Sequence, residues 1–351
     1  MKRASRENPE IREFILNNIE QYPDTMSSLV VKKFGVSRSA VSGYMSRLID
    51  AGLIVAEGTT RARHYKLKKL VDITFNIELF DGLPEDLTWI YKILPNIKDE
   101  RKNVVDICQY GFTEILNNAV DHSVSKDAKI SYGKTYNEIT MLIQDYGVGI
   151  FRKIQDDFNL PDPRAALLEL SKGRLTSSPS RHAGEGIFFT SRMFDTFAIF
   201  SGNLLYRKTK QDDGWLVEIE DQEKYVKGTI VLMIISTNAT WTTKEIFNQF
   251  QGDNLRFRKT HVPIKLAGYP GEQLVSRSQA KRVLARFENF SEVLLDFESV
   301  DTIGQAFADE IFRVFNNYHP ETKVIAINTS PDIDQMIAYV KNASPKVPND
   351  I

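Results

Sequence analysis

The sequence predicts an α+β protein of three units: a small helical head over residues 1–70, a central unit of mixed helices and strands over 71–252 and a small α/β unit over 270–345. Three observations predict this. First, 351 residues are more than one ordinary compact domain holds. Second, the apolar period changes along the chain. It is helical in the head, mixes a long helix with period-two strands from Val71 onward, and alternates strand with helix after Gln273. Third, charge is unevenly divided. Residues 1–69 carry 13 Lys and Arg against 7 Asp and Glu, and the remainder carries 32 against 39. A basic head on an acidic body is the distribution expected where only the head meets nucleic acid.

Composition sets the broad class. Apolar residues make up 42% and charged residues 26%, a normal globular balance. No apolar run approaches the roughly 20 residues of a membrane-spanning helix. The basic opening Met1-Lys-Arg-Ala-Ser-Arg has no apolar stretch behind it to make a signal peptide. A single cysteine, Cys108, cannot form an internal disulfide, which suits a reducing cytosol. His64, His122, His182, His261 and His319 show no metal-ligand spacing. The expectation is a soluble, cytoplasmic, zinc-free chain.

In the head, Pro9 opens a helix carrying Ile11, Phe14, Ile15, Leu16 and Ile19. Thr25–Phe34 forms a second, with Leu29, Val30 and Phe34 on one face and Gly35 as its stop. Ser37 caps a third, Arg38–Ala51, whose Val41, Met45, Leu48 and Ile49 turn inward. Leu53–Ala56 and His64–Leu67 flank a turn at Gly58-Thr59 as a small hairpin.

The central unit opens with a strand in Val71–Glu85, where Ile73, Phe75, Ile77 and Leu79 alternate with polar residues. A long helix spans Asn103–His122, and strands Lys129–Tyr132 and Thr140–Gln144 follow. Phe151–Ala183 is mixed, with a helix at Pro163–Leu170. A helix from Gly186 to Phe194 precedes strands near Phe197–Ser201, Leu204–Lys208, Trp215–Ile219 and Thr229–Ile235, and Thr237–Gln251 closes the unit. The last unit reads helix, strand Val293–Phe297, helix Ile303–Phe315, strand Lys323–Asn328, helix Ile333–Val340.

Three segments carry chemistry. Glu114, Asn118, Asp121 and His122 fall at i, i+4, i+7 and i+8, one polar stripe on the long helix. Asn118 can offer an oxygen to Mg²⁺, and Glu114 can take a proton from a water or hydroxyl nucleophile; a plain solvated helix face would show the same stripe. Asp145-Tyr-Gly147-Val-Gly149 ends an apolar strand. Its carboxylate can accept from an exocyclic amine, and its glycines allow close backbone approach to a base or sugar. Gly184-Glu-Gly186 opens a helix, so backbone N–H groups there could face phosphates.

In order and spacing, Glu114-x3-Asn118, Asp145-x-Gly147-x-Gly149, Gly184-x-Gly186 and the downstream Gly228-Thr229 resemble the GHKL ATPase superfamily. Its members are gyrase subunits, heat-shock chaperones, histidine kinases and mismatch-repair proteins, which share the Bergerat type of α/β sandwich. The Glu-x3-Asn-x3-His form looks most like the anti-sigma-factor serine kinases and gyrase-like members. The resemblance covers residues 71–250 and implies ATP and Mg²⁺ as ligands. Asp145 would hold the adenine amine with Thr229 beside it, and Asn118 the magnesium. Glu114 would be the base, and Gly184 and Gly186 would lie at the phosphates. Phe151–Ala183 would be a lid, with Arg181 and His182 within reach of the terminal phosphate. The chain departs from the family pattern at Ile187-Phe188-Phe189, where Leu-Gly-Leu is usual, and nothing before the pocket resembles a phospho-accepting histidine helix.

The head resembles a winged helix–turn–helix, which would present Arg38, Ser39, Ser42, Tyr44 and Arg47 to a DNA major groove and Arg61, Arg63 and Lys66 to phosphates. The tail looks like the STAS-like domains found beside such ATPases. Gln305 and Ala306 stand where antagonists of that kind carry a phosphorylated serine, so a docking role for a protein partner is the plainer expectation. Two functions follow from these resemblances. One is a DNA-binding transcriptional regulator whose ATP state alters its dimerisation or the pose of its head. The other is a serine/threonine kinase or ATPase acting on a partner protein. Family members often form dimers, which leaves a homodimer open.

Overall fold

The computed structural model describes residues 8–58, 63–175, 184–219, 225–251, 258–268 and 272–342; Arg61, Arg181 and His182 lie outside them. In the head, α1 (Pro9–Asn18) starts where the Asn8 side chain accepts from Glu10 N and a proline fills the first turn. Gly35, at φ 64°, ends α2 (Met26–Phe34), and Ser37 Oγ accepts from Ala40 N to start α3 (Arg38–Asp50). An antiparallel hairpin of β1 (Ile54–Glu57) and β2 (His64–Leu67) completes the unit. Ile15, Val30, Val41 and Leu48 form a core of its own. Tyr44 corrects the groove-facing expectation. It is 8% exposed, and its hydroxyl accepts from Asn8 N at 2.9 Å. An aromatic ring on the inner edge of α3 is drawn into the core, while Ile49 is only half-buried.

The central sheet comprises β3 (Val71–Glu78), β4 (Asp127–Lys134), β5 (Glu138–Asp145), β6 (Thr196–Gly202), β7 (Leu204–Thr209), β8 (Asp212–Glu218) and β9 (Val226–Ser236). Its order is β3-β4-β5-β9-β6-β7-β8, every neighbouring pair antiparallel. Side chains alternate across a strand, so Ile139, Met141 and Ile143 of β5 and Val231, Met233 and Ile235 of β9 share one buried face. After a short α4 (Glu85–Thr88), the long α5 (Lys102–His122) packs on β5 and β9. Next come α6 (Ile150–Phe158), α7 (Ala165–Lys172), α8 (Gly186–Met193), which packs on α5 and β6, and α9 (Thr243–Phe250). The Phe188-Phe189 departure is absorbed here: both rings are buried and meet Phe250 and Phe247 of α9 at 4.9 and 4.5 Å.

The C-terminal unit is a parallel sheet, β10 (Lys259–Pro263), β11 (Glu292–Asp296) and β12 (Lys323–Ile327). Around it lie α10 (Arg277–Leu284), α11 (Gln305–Asp309) running on into α12 (Asn316–Tyr318), and α13 (Pro331–Asn342). Its first strand precedes residue 270, where the sequence places the start of this unit. Five residues containing His261 and Pro263 carry too little β signal to be read alone. The apolar cores of the central and C-terminal units are continuous. No described helix is long and apolar enough to cross a membrane.

The head contacts the body at the β4–β5 turn. Tyr136 donates from its hydroxyl to Glu13 Oε1 at 2.7 Å, and Asn137 donates from Nδ2 to the Leu16 carbonyl at 3.2 Å.

Candidate functional site

A cavity of about 420 Å³ opens where the last turns of α5, the end of β5 and the starts of α6 and α8 converge. Glu114, Asn118 and His122 reach it together because residues four apart share a helix face. Asp145 arrives by strand alternation: the period that buries Ile139, Met141 and Ile143 places a carboxylate next on the same face. It is 5% exposed.

Asp145 is held rigidly. Its Oδ1 accepts from Gly147 N at 2.9 Å and Thr229 N at 3.2 Å, and Thr229 Oγ1 in turn accepts from Ile150 N at 3.0 Å. Burial pushes the Asp145 carboxyl above the usual aspartate value, against the opposing pull of these hydrogen bonds. A carboxylate offers about four lone-pair sites, so capacity remains for a donor from a ligand. Ile143, Ile154 and Val231 give the cavity apolar walls.

Gly184, Glu185 and Gly186 also line the cavity, with Leu175, Ile187 and Phe188, and no side chain caps the first turn of α8. Its leading amides are of the kind that bind anions. Asn118 Nδ2 is buried without a hydrogen-bond partner among the described residues. An orphaned buried amide costs about 1–3 kcal/mol unless something in the cavity meets it. The cavity therefore combines apolar walls and one fixed acceptor with the uncapped start of α8.

Of the residues singled out in the sequence, Glu114, Asn118, His122, Asp145, Gly149, Gly184, Gly186 and Thr229 line the cavity. Asp121 and Gly147 are not among its lining residues, and His182 lies outside the described residues. Gly147 serves the protein: a Cβ there would fall 1.7 Å from the Ser123 carbonyl oxygen, so this turn is glycine because it presses on the end of α5. Sequence reading missed Lys153 on α6, which lines the cavity and pairs with Asp157 at 2.6 Å. The i, i+4 spacing of that pair was legible, but only once α6 is recognised as a helix.

On the head, Arg38, Ser39, Ser42 and Arg47 are exposed along α3, and Arg63 is exposed beside the hairpin. Arg47 stacks 4.6 Å from the centre of the Tyr44 ring, and Lys66 pairs with Glu57 at 2.5 Å. In the C-terminal unit a helix begins at Gln305, preceded by Gly304.

No curated protein and no solved structure matches the chain. Residues 279–334 match the family model of a STAS-like domain of unknown function (DUF4325), so the C-terminal unit is STAS-like.

Proposed function

We propose that this chain is an ATP-binding transcriptional regulator, in which a GHKL-type pocket holding ATP and Mg²⁺ controls a DNA-binding winged-helix head. The observation that carries this reading is the meeting of Glu114, Asn118, Asp145, Gly184, Gly186 and Thr229 around one cavity from separate stretches of chain. In this reading Asp145 accepts from the adenine amine, with Thr229 holding the carboxylate in place. Amides at the start of α8 donate to phosphate oxygens, and Asn118 contributes a magnesium ligand. Glu114, Asp157 and Glu185 make the cavity lining acidic, so a polyphosphate would need a divalent cation, with Lys153 also in the lining. When bound, ATP with Mg²⁺ would supply a terminal phosphoryl group, and Glu114 would be the residue that takes the proton of an attacking water as ADP departs.

The head connects to this site through one hairpin. β5 has eight residues, roughly 25 Å at about 3.3 Å each. Asp145 stands at one end, and the Tyr136 and Asn137 contacts to α1 stand at the other. The basic, exposed face of α3 supports DNA as the head's partner. A second reading, a serine/threonine kinase or ATPase acting on a partner, is favoured by the presence of Glu114 in the cavity.

Incubation with terminally labelled ATP and Mg²⁺, in parallel with DNA retention with and without nucleotide, separates the two. ATP-dependent DNA retention without stable protein label supports the regulator. Stable label on a co-purifying protein, with DNA retention indifferent to ATP, supports the kinase.

A further inference from the structure

Two helices from different units cap each other beside the cavity. Lys172, the last residue of α7, is fully buried. Its Nζ donates to Glu169 Oε1 at 2.6 Å and to the carbonyls of Arg282 and Ala285 at 3.0 and 3.1 Å. Those carbonyls end α10, where unpaired acceptors and the negative end of the helix dipole favour a cation. Arg286, just past α10, answers in kind. It donates to Glu169 Oε2 at 2.8 Å and to the carbonyls of Glu169, Gly173 and Arg174 at 3.1, 3.4 and 2.9 Å, which end α7. Glu169 thus joins both cations, one from each unit.

The capped end of α7 runs directly into the cavity wall. Arg174 donates to the Asn289 carbonyl of the C-terminal unit at 2.8 Å and lies 3.8 Å from the Glu185 carboxylate. Leu175 N donates to the Gly184 carbonyl at 3.1 Å. Gly184, at φ 69°, presses so closely that a Cβ would fall 2.5 Å from the Leu175 carbonyl. Leu175, Gly184 and Glu185 all line the cavity.

We propose that the STAS-like unit sets the position of this wall, so that its docking on α7 and the occupancy of the nucleotide pocket are energetically linked. A protein partner that draws the unit off α7 then weakens nucleotide binding, and bound nucleotide holds the unit down by the same factor. The nucleotide half rests on the function proposed above; the docking half does not. Apolar residues of similar volume would hold a static interface at least as well as a buried charge triad, whereas breaking such a triad is costly. The reciprocal caps therefore suit an interface with two discrete states better than a graded one.

Amide hydrogen exchange on the full chain tests this, in wild type, Arg286→Ala, Arg286→Lys and Arg174→Ala, each with and without ATP and Mg²⁺. Without nucleotide, Arg286→Ala is expected to speed exchange at Leu175 and Gly184–Ile187 about tenfold while the head is unchanged, with Arg286→Lys intermediate. Unchanged exchange there overturns the proposal. With nucleotide, wild type is expected to gain protection at Val283–Arg286; protection confined to the cavity overturns the linkage. No nucleotide effect anywhere in wild type overturns the ATP reading instead, and the nucleotide-free arm still decides whether the unit positions the wall. Should Arg286→Ala fail to fold, Arg174→Ala, which removes the Asn289 and Glu185 interactions and the contact with the Phe290 ring, decides by faster or unchanged exchange at Gly184–Gly186.

Discussion

Gly186 backs directly onto Glu114: a methyl group on its Cα would fall 2.1 Å from Glu114 Oε2. The start of α8 and the polar stripe of α5 are therefore in contact, and their distance is set by the lack of a side chain. The nearest atom is the far end of a flexible side chain, so Gly186→Ala is expected to turn the Glu114 carboxylate aside. The cost to stability should be modest, about 1–3 kcal/mol. ATP binding and any hydrolysis should fall more than tenfold, read by parallel thermal melts and nucleotide titrations.

Asp145 is expected to trade stability for binding. Burial raises its pKa above the ordinary aspartate value of 3.8, so the folded chain holds this proton more tightly than the unfolded chain does. Stability from this group therefore falls as pH rises through that window, and the ionised carboxylate is a cost at pH 7. Asp145→Asn keeps an oxygen for the Gly147 and Thr229 amides and removes the charge. Its Tm at pH 7 should equal or exceed that of wild type, and its melting should lose part of the acid-side pH dependence.

Lys172 should titrate far below an ordinary lysine. Burial lowers its pKa from 10.5 to about 8, opposed by Glu169. Between those values the unfolded chain binds more proton than the folded one, so this group adds stability as pH rises from about 8 to about 10.5. Thermal melts of wild type and Lys172→Met across that range should differ in slope, the variant lacking the alkaline gain. Its melt should also be lower at pH 7, since Glu169 and the carbonyls of Arg282 and Ala285 lose a donor.

For the head, Arg38→Ala with Arg47→Ala should weaken DNA binding at low salt. It should also reduce the slope of log affinity against log salt by about 1–2, at roughly 0.9 for each phosphate no longer neutralised. Fluorescence anisotropy over a salt series measures both, and thermal melts confirm that the exposed substitutions leave the head folded.

Most elements were legible because one apolar face repeats at a clean period. The alternation of Ile73, Phe75 and Ile77 marks β3, and Ser37 with Gly35 marks the boundary between α2 and α3. Helix α6 was not legible, although Ile150, Phe151, Ile154 and Phe158 sit at helical spacing. Five charged or amide residues between them hide it at the start of a segment that reads as mixed. Strand β10 is too short to announce itself, and its parallel partner β11 lies about 30 residues onward, a non-local pairing that no local window contains. In the cavity, spacing along α5 brought Glu114, Asn118 and His122 to one face, but it grouped Asp121 with them, which does not line the cavity. Spacing could not show that Gly147 packs on Ser123 rather than a ligand, because that contact joins two elements. The mutual caps of Lys172 and Arg286 were hidden for the same reason.

Calorimetric titration of ATP into the clean chain, with and without Mg²⁺ and alongside Asp145→Asn, tests the pocket most directly. Saturable binding in wild type is expected, strengthened by Mg²⁺ and weakened ten- to hundredfold by Asp145→Asn, the loss of about 1.5–3 kcal/mol that a hydrogen bond to a charged group contributes. No heat for ATP or ADP in the presence of Mg²⁺, or equal affinity in the two proteins, contradicts the account.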